Sequence, residues 1–169
     1  MLGGDCTDDD CCCNDDDKII QRYVLSVLYY ALNGANWNDI EGWLTDGDEC
    51  NWDNISCDDA TNSVVTQFVP RQNPLGGTLP SEIGELTGLE TLLLNTNDLT
   101  GSIPNEFGNL TNLQTLQLQY NGLSGSMPDE ICALRTDAVP AGQLSALSAD
   151  CGGATPEVSC SCCTLCKGA

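Results

Sequence analysis

Three stretches of this chain superimpose at a spacing of 24 residues, and that periodicity limits the fold more than any other feature. They read VTQFVPRQNPLGGTLPSEIGEL from Val65, LETLLLNTNDLTGSIPNEFGNL from Leu89 and LQTLQLQYNGLSGSMPDEICAL from Leu113. Asn73, Asn97 and Asn121 fall in step, as do Leu75, Leu99 and Leu123, Gly77, Gly101 and Gly125, and Pro80, Pro104 and Pro128. Such agreement marks a solenoid, in which each coil buries its apolar face only against its neighbours. In the pattern L-x-x-L-x-L, the pairs Leu92/Leu94 and Leu116/Leu118 point inward from a short strand. The repeated Asn turns the chain out of the strand and offers its amide to a neighbouring coil, since buried main-chain groups need partners. Gly and Pro fix the return on the convex side. The first coil departs from the pattern, with Phe68 and Pro70 at core strand positions, and a proline there predicts an edge strand.

An open solenoid exposes core at both ends, so the flanks should be lids. Residues 1–17 hold seven Asp and four Cys and read as an acidic disordered tail. Residues 18–63 read as an N-terminal helix and disulfide cap. The helix is expected from Lys18 to Asn33, with Ile20, Val24, Val27, Leu28 and Ala31 on its buried face, Asp16 or Asp17 at its start and Gly34 as the left-handed residue that ends it. Cys50 and Cys57 flank Trp52 and suit a short loop closed by a disulfide. The repeats occupy residues 64–134. Beyond Leu134 the period lapses, and Cys132, Cys151, Cys160, Cys162, Cys163 and Cys166 make residues 135–169 a Cys-rich C-terminal cap. Six cysteines allow 15 pairings, and spacing does not choose among them.

Twelve cysteines in 169 residues point to an oxidising compartment. A cytosolic zinc protein fits less well, because the chain has no histidine and no paired CxxC knuckles. Its start, MLGGDCTDDDCCCNDDD, has neither the basic nor the apolar part of a secretory signal, so a signal or anchor is expected upstream of this chain. The first apolar stretch, Ile19 to Leu32, is too short and too interrupted to insert into a membrane. A formal charge of −20 disfavours nucleic acid and suits a basic partner or divalent cations, though it equally serves solubility. Calcium binding or self-association through the acidic tail is one such expectation. Asp46, Asp48 and Asp53 lack the twelve-residue EF-hand pattern, and no resident metal or other cofactor is expected.

Strand side chains alternate, so residues between the core leucines face the concave side. This predicts the ladders Gln67–Thr91–Thr115, Val69–Leu93–Gln117 and Arg71–Asn95–Gln119, flanked by Gln72, Thr96 and Tyr120. Amides, hydroxyls and a Tyr suit hydrogen bonding to a protein, an extended peptide or a glycan. They equally suit a solvated face. Three rungs span only about 10–15 Å, small beside a standard interface. Without histidine there is no Ser-His or Cys-His pair, and no carboxylate pair is singled out, so an enzyme is not expected. Asn54 and Asn109 head glycosylation sequons.

The pattern L-x-G-x-[IL]-P-x-x-[IF]-G-x-L-[ST]-x-L over Leu75–Leu89 and Leu99–Leu113 resembles plant-specific leucine-rich repeats. Such repeats occur in receptor-like kinase ectodomains and polygalacturonase-inhibiting proteins. ALNGANWNDIEGWLTDGDECNWDNISCDD resembles the N-terminal cap of that class, while YALNGANW and CSCCTLC look closer to leucine-rich-repeat proteins of diatom-like algae. The resemblance covers roughly Ile19 to Cys166 and implies an α/β solenoid. The expected shape is a short right-handed leucine-rich-repeat arc with parallel strands, an N-terminal helical cap and a Cys-rich C-terminal cap. It implies an extracellular or cell-surface recognition module. A structural or adhesive matrix component, or by analogy an inhibitor of cell-wall glycosidases, is the alternative. The fold alone hosts many unrelated partners.

Overall fold

The computed structural model describes residues 13–58, 60, 63–70, 73–138, 142–153 and 157–167. Helix α1 spans Cys13–Ala31 and so takes in residues 13–17, which composition had assigned to the tail. Residues 1–12 lie outside the described part. Val24, Leu25, Leu28 and Leu32 are fully buried, whereas Ile20 is 43% exposed. The buried face is thus rotated from the expected one, and Gln21 sits inside it. That glutamine is satisfied on every side: its Nε2 donates to Glu49 Oε1 and the Ser63 carbonyl, and its Oε1 accepts from Val65 N–H. A polar residue buried in this way stitches the helix to the cap and the first coil. The helix ends on Asn33, in the left-handed region at φ 63°, rather than on Gly34. Gly34 is required for another reason: a methyl there would lie 2.3 Å from the Tyr29 ring.

The strands in chain order are β1 (Ile55–Cys57), β2 (Val65–Phe68), β3 (Gly76–Thr78), β4 (Thr91–Leu93), β5 (Asp98–Gly101) and β6 (Thr115–Gln117). They continue as β7 (Gly122–Leu123), β8 (Gly125–Ser126), β9 (Ala146–Ala149), β10 (Val158–Ser159) and β11 (Leu165–Cys166). The main sheet runs β1-β2-β4-β6-β9-β11, antiparallel between β1 and β2 and parallel thereafter. Phe68, Leu92, Leu116 and Leu147 stand in register along it, all fully buried. A second parallel sheet, β3-β5-β7, stacks the stretches that follow each repeated Asn, and β8 pairs with β10. Short 3-10 turns at Ser81–Glu85 and Asn105–Asn109, then helix α2 (Asp129–Cys132), return the chain toward the next strand. The coils approach closely there, since a methyl on Gly84 would lie 2.4 Å from the Glu106 carbonyl.

The repeated asparagines bond across coils as expected. Asn97 Oδ1 accepts from Leu75 N–H and Asn121 Oδ1 from Leu99 N–H, while Asn121 Nδ2 donates to the Leu94 carbonyl. Asn73 Oδ1 instead takes the Asn38 and Asp39 N–H groups, joining the first coil to the cap. Two expectations change. β2 is not an edge, because β1 covers it, and Pro70 lies beyond its last paired residue. The C-terminal segment is also more than a lid. Its strand β9 is a further rung, 31 residues after β6 rather than 24, and β11 is another. Arg135, at the start of this longer connection, donates to the Leu144 and Ser145 carbonyls at its end.

Among the described residues four disulfides lock the ends: Cys50–Cys57, Cys132–Cys162, Cys151–Cys166 and Cys160–Cys163. All eight cysteines expected in bridges are in them. Among the described residues no helix is long and apolar enough to cross a membrane.

Candidate binding surface

Parallel pairing sets the concave face in rows. Gln67, Thr91, Thr115 and Ala146 form one row, and Leu93, Gln117 and Ser148 form the next. The rows do not present every side chain. Gln67 is exposed, and Val69, Thr91, Asn95, Thr115 and Gln117 are half-buried. Leu93 is only 7% exposed and Gln119 8%, the latter because its Oε1 accepts a 2.6 Å bond from Ser148 Oγ. Those two lie below the surface. Arg71 and Gln72 fall outside the described residues. With β9 and β11 added, five parallel strands at about 4.8 Å spacing give a face roughly 19 Å wide. It is broader than the three repeats alone predict.

At the C-terminal ends of the strands the backbone turns sharply. Thr96 and Tyr120 adopt φ 61° and 60°, a region non-glycine residues seldom occupy. Both are held by hydrogen bonds: Thr96 N–H donates to the Gln119 carbonyl, and Tyr120 N–H donates to Asp150 Oδ1. The Tyr120 side chain is 51% exposed. It borders a shallow groove of about 350 Å³ lined also by Asn38, Asn73, Pro74, Thr96, Asn97 and Asp98. A second hollow shares Asn97, Asp98 and Tyr120 with it and adds Thr100, Asn121 and Gly122. The ladder therefore opens at its side onto amides, a carboxylate and a phenol. Of these, Asn38 and Asp98 escaped the sequence reading. Asn38 belongs to the cap and has no place in the repeat, whereas Asp98 recurs in step with Pro74 and Gly122 and was legible as a row.

Asp150 closes this end of the ladder. It is 3% exposed, and its two oxygens accept the N–H groups of Tyr120 and Asn121. One coil earlier, backbone carbonyls of Gln119 and Tyr120 take the equivalent N–H groups of Thr96 and Asn97. On the next rung a side-chain carboxylate thus takes the place of two backbone carbonyls. In the N-terminal cap, Asp48 Oδ1 accepts from Cys50 N–H and Oδ2 pairs with Lys18 at 3.2 Å. The Cys50 N–H hydrogen bond above all, with Lys18 and then Arg22 adding to it, holds its carboxyl below the usual range, against an upward push from burial that ranks second among the causes. Asp53 Oδ2 accepts from Glu41 N–H, so both carboxylates act as turn braces.

The two sequons differ. Asn109 is exposed on a convex turn, whereas the Asn54 amide nitrogen is buried without a hydrogen-bond partner.

Coils stacked on a parallel ladder, with inward leucines and Asn rungs bonding across coils, define a leucine-rich-repeat solenoid. The Leucine Rich Repeat family model matches residues 88–110 and 112–134. PEPR1, solved with AtPEP1, is 31% identical with a TM-score of 0.55, covering 70% of this chain and 16% of its own. The Arabidopsis receptor kinase HAESA ectodomain, in complex with an IDA peptide hormone ligand, is 26% identical with a TM-score of 0.56, covering 80% of this chain and 20% of its own. A chain of the Arabidopsis thaliana BIR3–SERK2 complex is 27% identical with a TM-score of 0.52, covering 64% of this chain and 61% of its own. The chain is thus built of leucine-rich repeats, and its repeats are similar to those of plant receptor ectodomains. It spans about a fifth or less of the PEPR1 and HAESA chains and about three fifths of the BIR3–SERK2 one.

Proposed function

We propose that this protein is an extracellular or cell-surface recognition module that binds a peptide or protein along its concave ladder and the side groove at Tyr120. The observation that carries the reading is the continuity of half-exposed polar rows (Gln67–Thr91–Thr115, then Asn95 and Gln117) with a groove holding an exposed phenol beside Asn38 and Asp98. An extended backbone finds there both donors and acceptors, and an aromatic edge to pack on. The similar ectodomains solved with AtPEP1, with an IDA peptide and as a BIR3–SERK2 pair favour peptide or protein over glycan. Four disulfides favour an oxidising exterior. The charge of −20 favours a basic partner, whose association weakens as salt rises. The role is binding, with no reaction catalysed. Asn109 is the sequon able to carry a glycan on the folded surface.

Screening the whole chain against peptide, protein and glycan arrays tests this. Binding to basic peptides or proteins should fall at least tenfold in Gln117→Ala/Tyr120→Ala with the unfolding midpoint unchanged. Ligands that bind the double variant as well as the native chain would remove the ladder from the site. Selective binding to the glycan array would replace the peptide reading.

A further inference from the structure

We propose that the C-terminal cap contains a thiol-exchange site, at which a small thiol opens Cys160–Cys163 and the cap re-pairs its cysteines so as to release Cys166. The sulfurs of Cys151, Cys160 and Cys163 all lie within 4.8 Å of one another, although they belong to two different disulfides. All three residues are half-buried, and Ser161 and Thr164 beside them are exposed, so solvent reaches the cluster. Cys160–Cys163 spans a separation of three residues, against 15 for Cys151–Cys166 and 30 for Cys132–Cys162. A link across so short a loop restrains the unfolded chain least and is the one the cap can open most readily. Opening it leaves the sulfurs in place. Strand β10 anchors the chain just before Cys160, and Thr164 is held by its N–H and hydroxyl to the Leu147 carbonyl.

The exchange balances. An incoming thiolate attacks Cys163 Sγ and forms a mixed disulfide, and the electron pair of the broken bond leaves on Cys160 Sγ. That thiolate attacks Cys151 Sγ, making Cys151–Cys160 and expelling Cys166 as a thiolate, which takes a proton from water. Two protein disulfides and one thiol become one protein disulfide, one mixed disulfide and one protein thiol, with no outside oxidant. Because the second attack is intramolecular, it outcompetes further external thiol. Cys166 lies in β11, so the exchange removes the covalent tether of the last strand of the sheet and leaves it held by its two-residue pairing with β9.

The test uses the folded full chain with pre-existing free thiols blocked by N-ethylmaleimide. It is then exposed to limiting cysteamine, whose cationic form the −20 chain attracts. Samples are acid-quenched, alkylated with iodoacetamide and mapped by mass spectrometry. The expected first product carries cysteamine on Cys163, a Cys151–Cys160 link and alkyl on Cys166, formed several-fold faster than with anionic glutathione. In Cys160→Ser/Cys163→Ser, alkylation of Cys166 should drop to the rate of Cys50. Cysteamine retained at Cys160 or Cys163 with Cys151–Cys166 intact would overturn the proposal. So would opening of Cys132–Cys162 or Cys50–Cys57 first, or unchanged Cys166 alkylation in the double variant. Should that variant fail to fold, the order of labelling in the native chain decides alone.

Discussion

At the N-terminal end the coil stack is closed by aromatic rings; at the C-terminal end it is closed by sulfur. Tyr29, Trp37, Trp43, Trp52 and Phe68 pack with centroids 4.9–6.2 Å apart, α1 adds the fully buried Val24, Leu25 and Leu28, Leu32 follows just beyond it, and among the described residues one disulfide, Cys50–Cys57, serves this end. The other end buries Leu144, Leu147, Ala149 and Val158, with no aromatic ring in its buried core, and carries three disulfides. Rings bury 150–250 Å² each, and the hydrophobic gain scales with area. Small side chains cannot match that, so cross-links that restrict the unfolded chain take over. The same topological need, sealing an open core, thus has two physical solutions in one molecule.

The largest expected effect breaks the aromatic end. Trp43 touches Tyr29, Trp37, Trp52 and Phe68, and Trp43→Ala should cost about 3–5 kcal/mol in urea unfolding. Next comes the sulfur end, where Cys132→Ser/Cys162→Ser should cost about 2–4 kcal/mol. Removing Cys50–Cys57 should cost less, because its loop is shorter and the rings remain. The reverse order would mean that the two lids do not differ as argued. Asp150→Ala should follow at about 1–3 kcal/mol, by stranding the Tyr120 and Asn121 N–H groups. Asp150→Asn should restore part of that, with amide exchange at both positions as the readout. The smallest effect belongs to Asp48, which is 37% exposed and paired with Lys18. Its carboxyl is depressed in the fold from 3.8, so its contribution is present above that pH and lost as pH falls through the folded value. Wild type should exceed Asp48→Asn by under about 1 kcal/mol at pH 6, with the gap closing below pH 4.

The repeats were legible because each landmark has one physical reason to recur, and the concave rows followed from strand alternation. Other features were hidden for identifiable causes. Leu144, Leu147 and Ala149 repeat the spacing of Leu113, Leu116 and Leu118, but seven inserted residues and a smaller third side chain broke the period. The helix face was misplaced because Gln21 counted as polar, although its partners lie in Glu49, Ser63 and Val65, far along the chain. Asp150 looked like one acid among 25, and only the coil that should follow it gives it a role. The burial of Gln119 depends likewise on Ser148, in a rung the period did not announce.

That continuation of the coil stack into the cysteine-rich segment is the claim on which the width of the binding face and the design of the lid both rest. Cross-strand nuclear Overhauser effects test it most directly. Parallel-register contacts should join Leu116 to Leu147 and Ser148 to Leu165, as well as Leu92 to Leu116. Contacts between Leu92 and Leu116 alone, with Leu147 near neither Leu116 nor Thr164, would contradict the account.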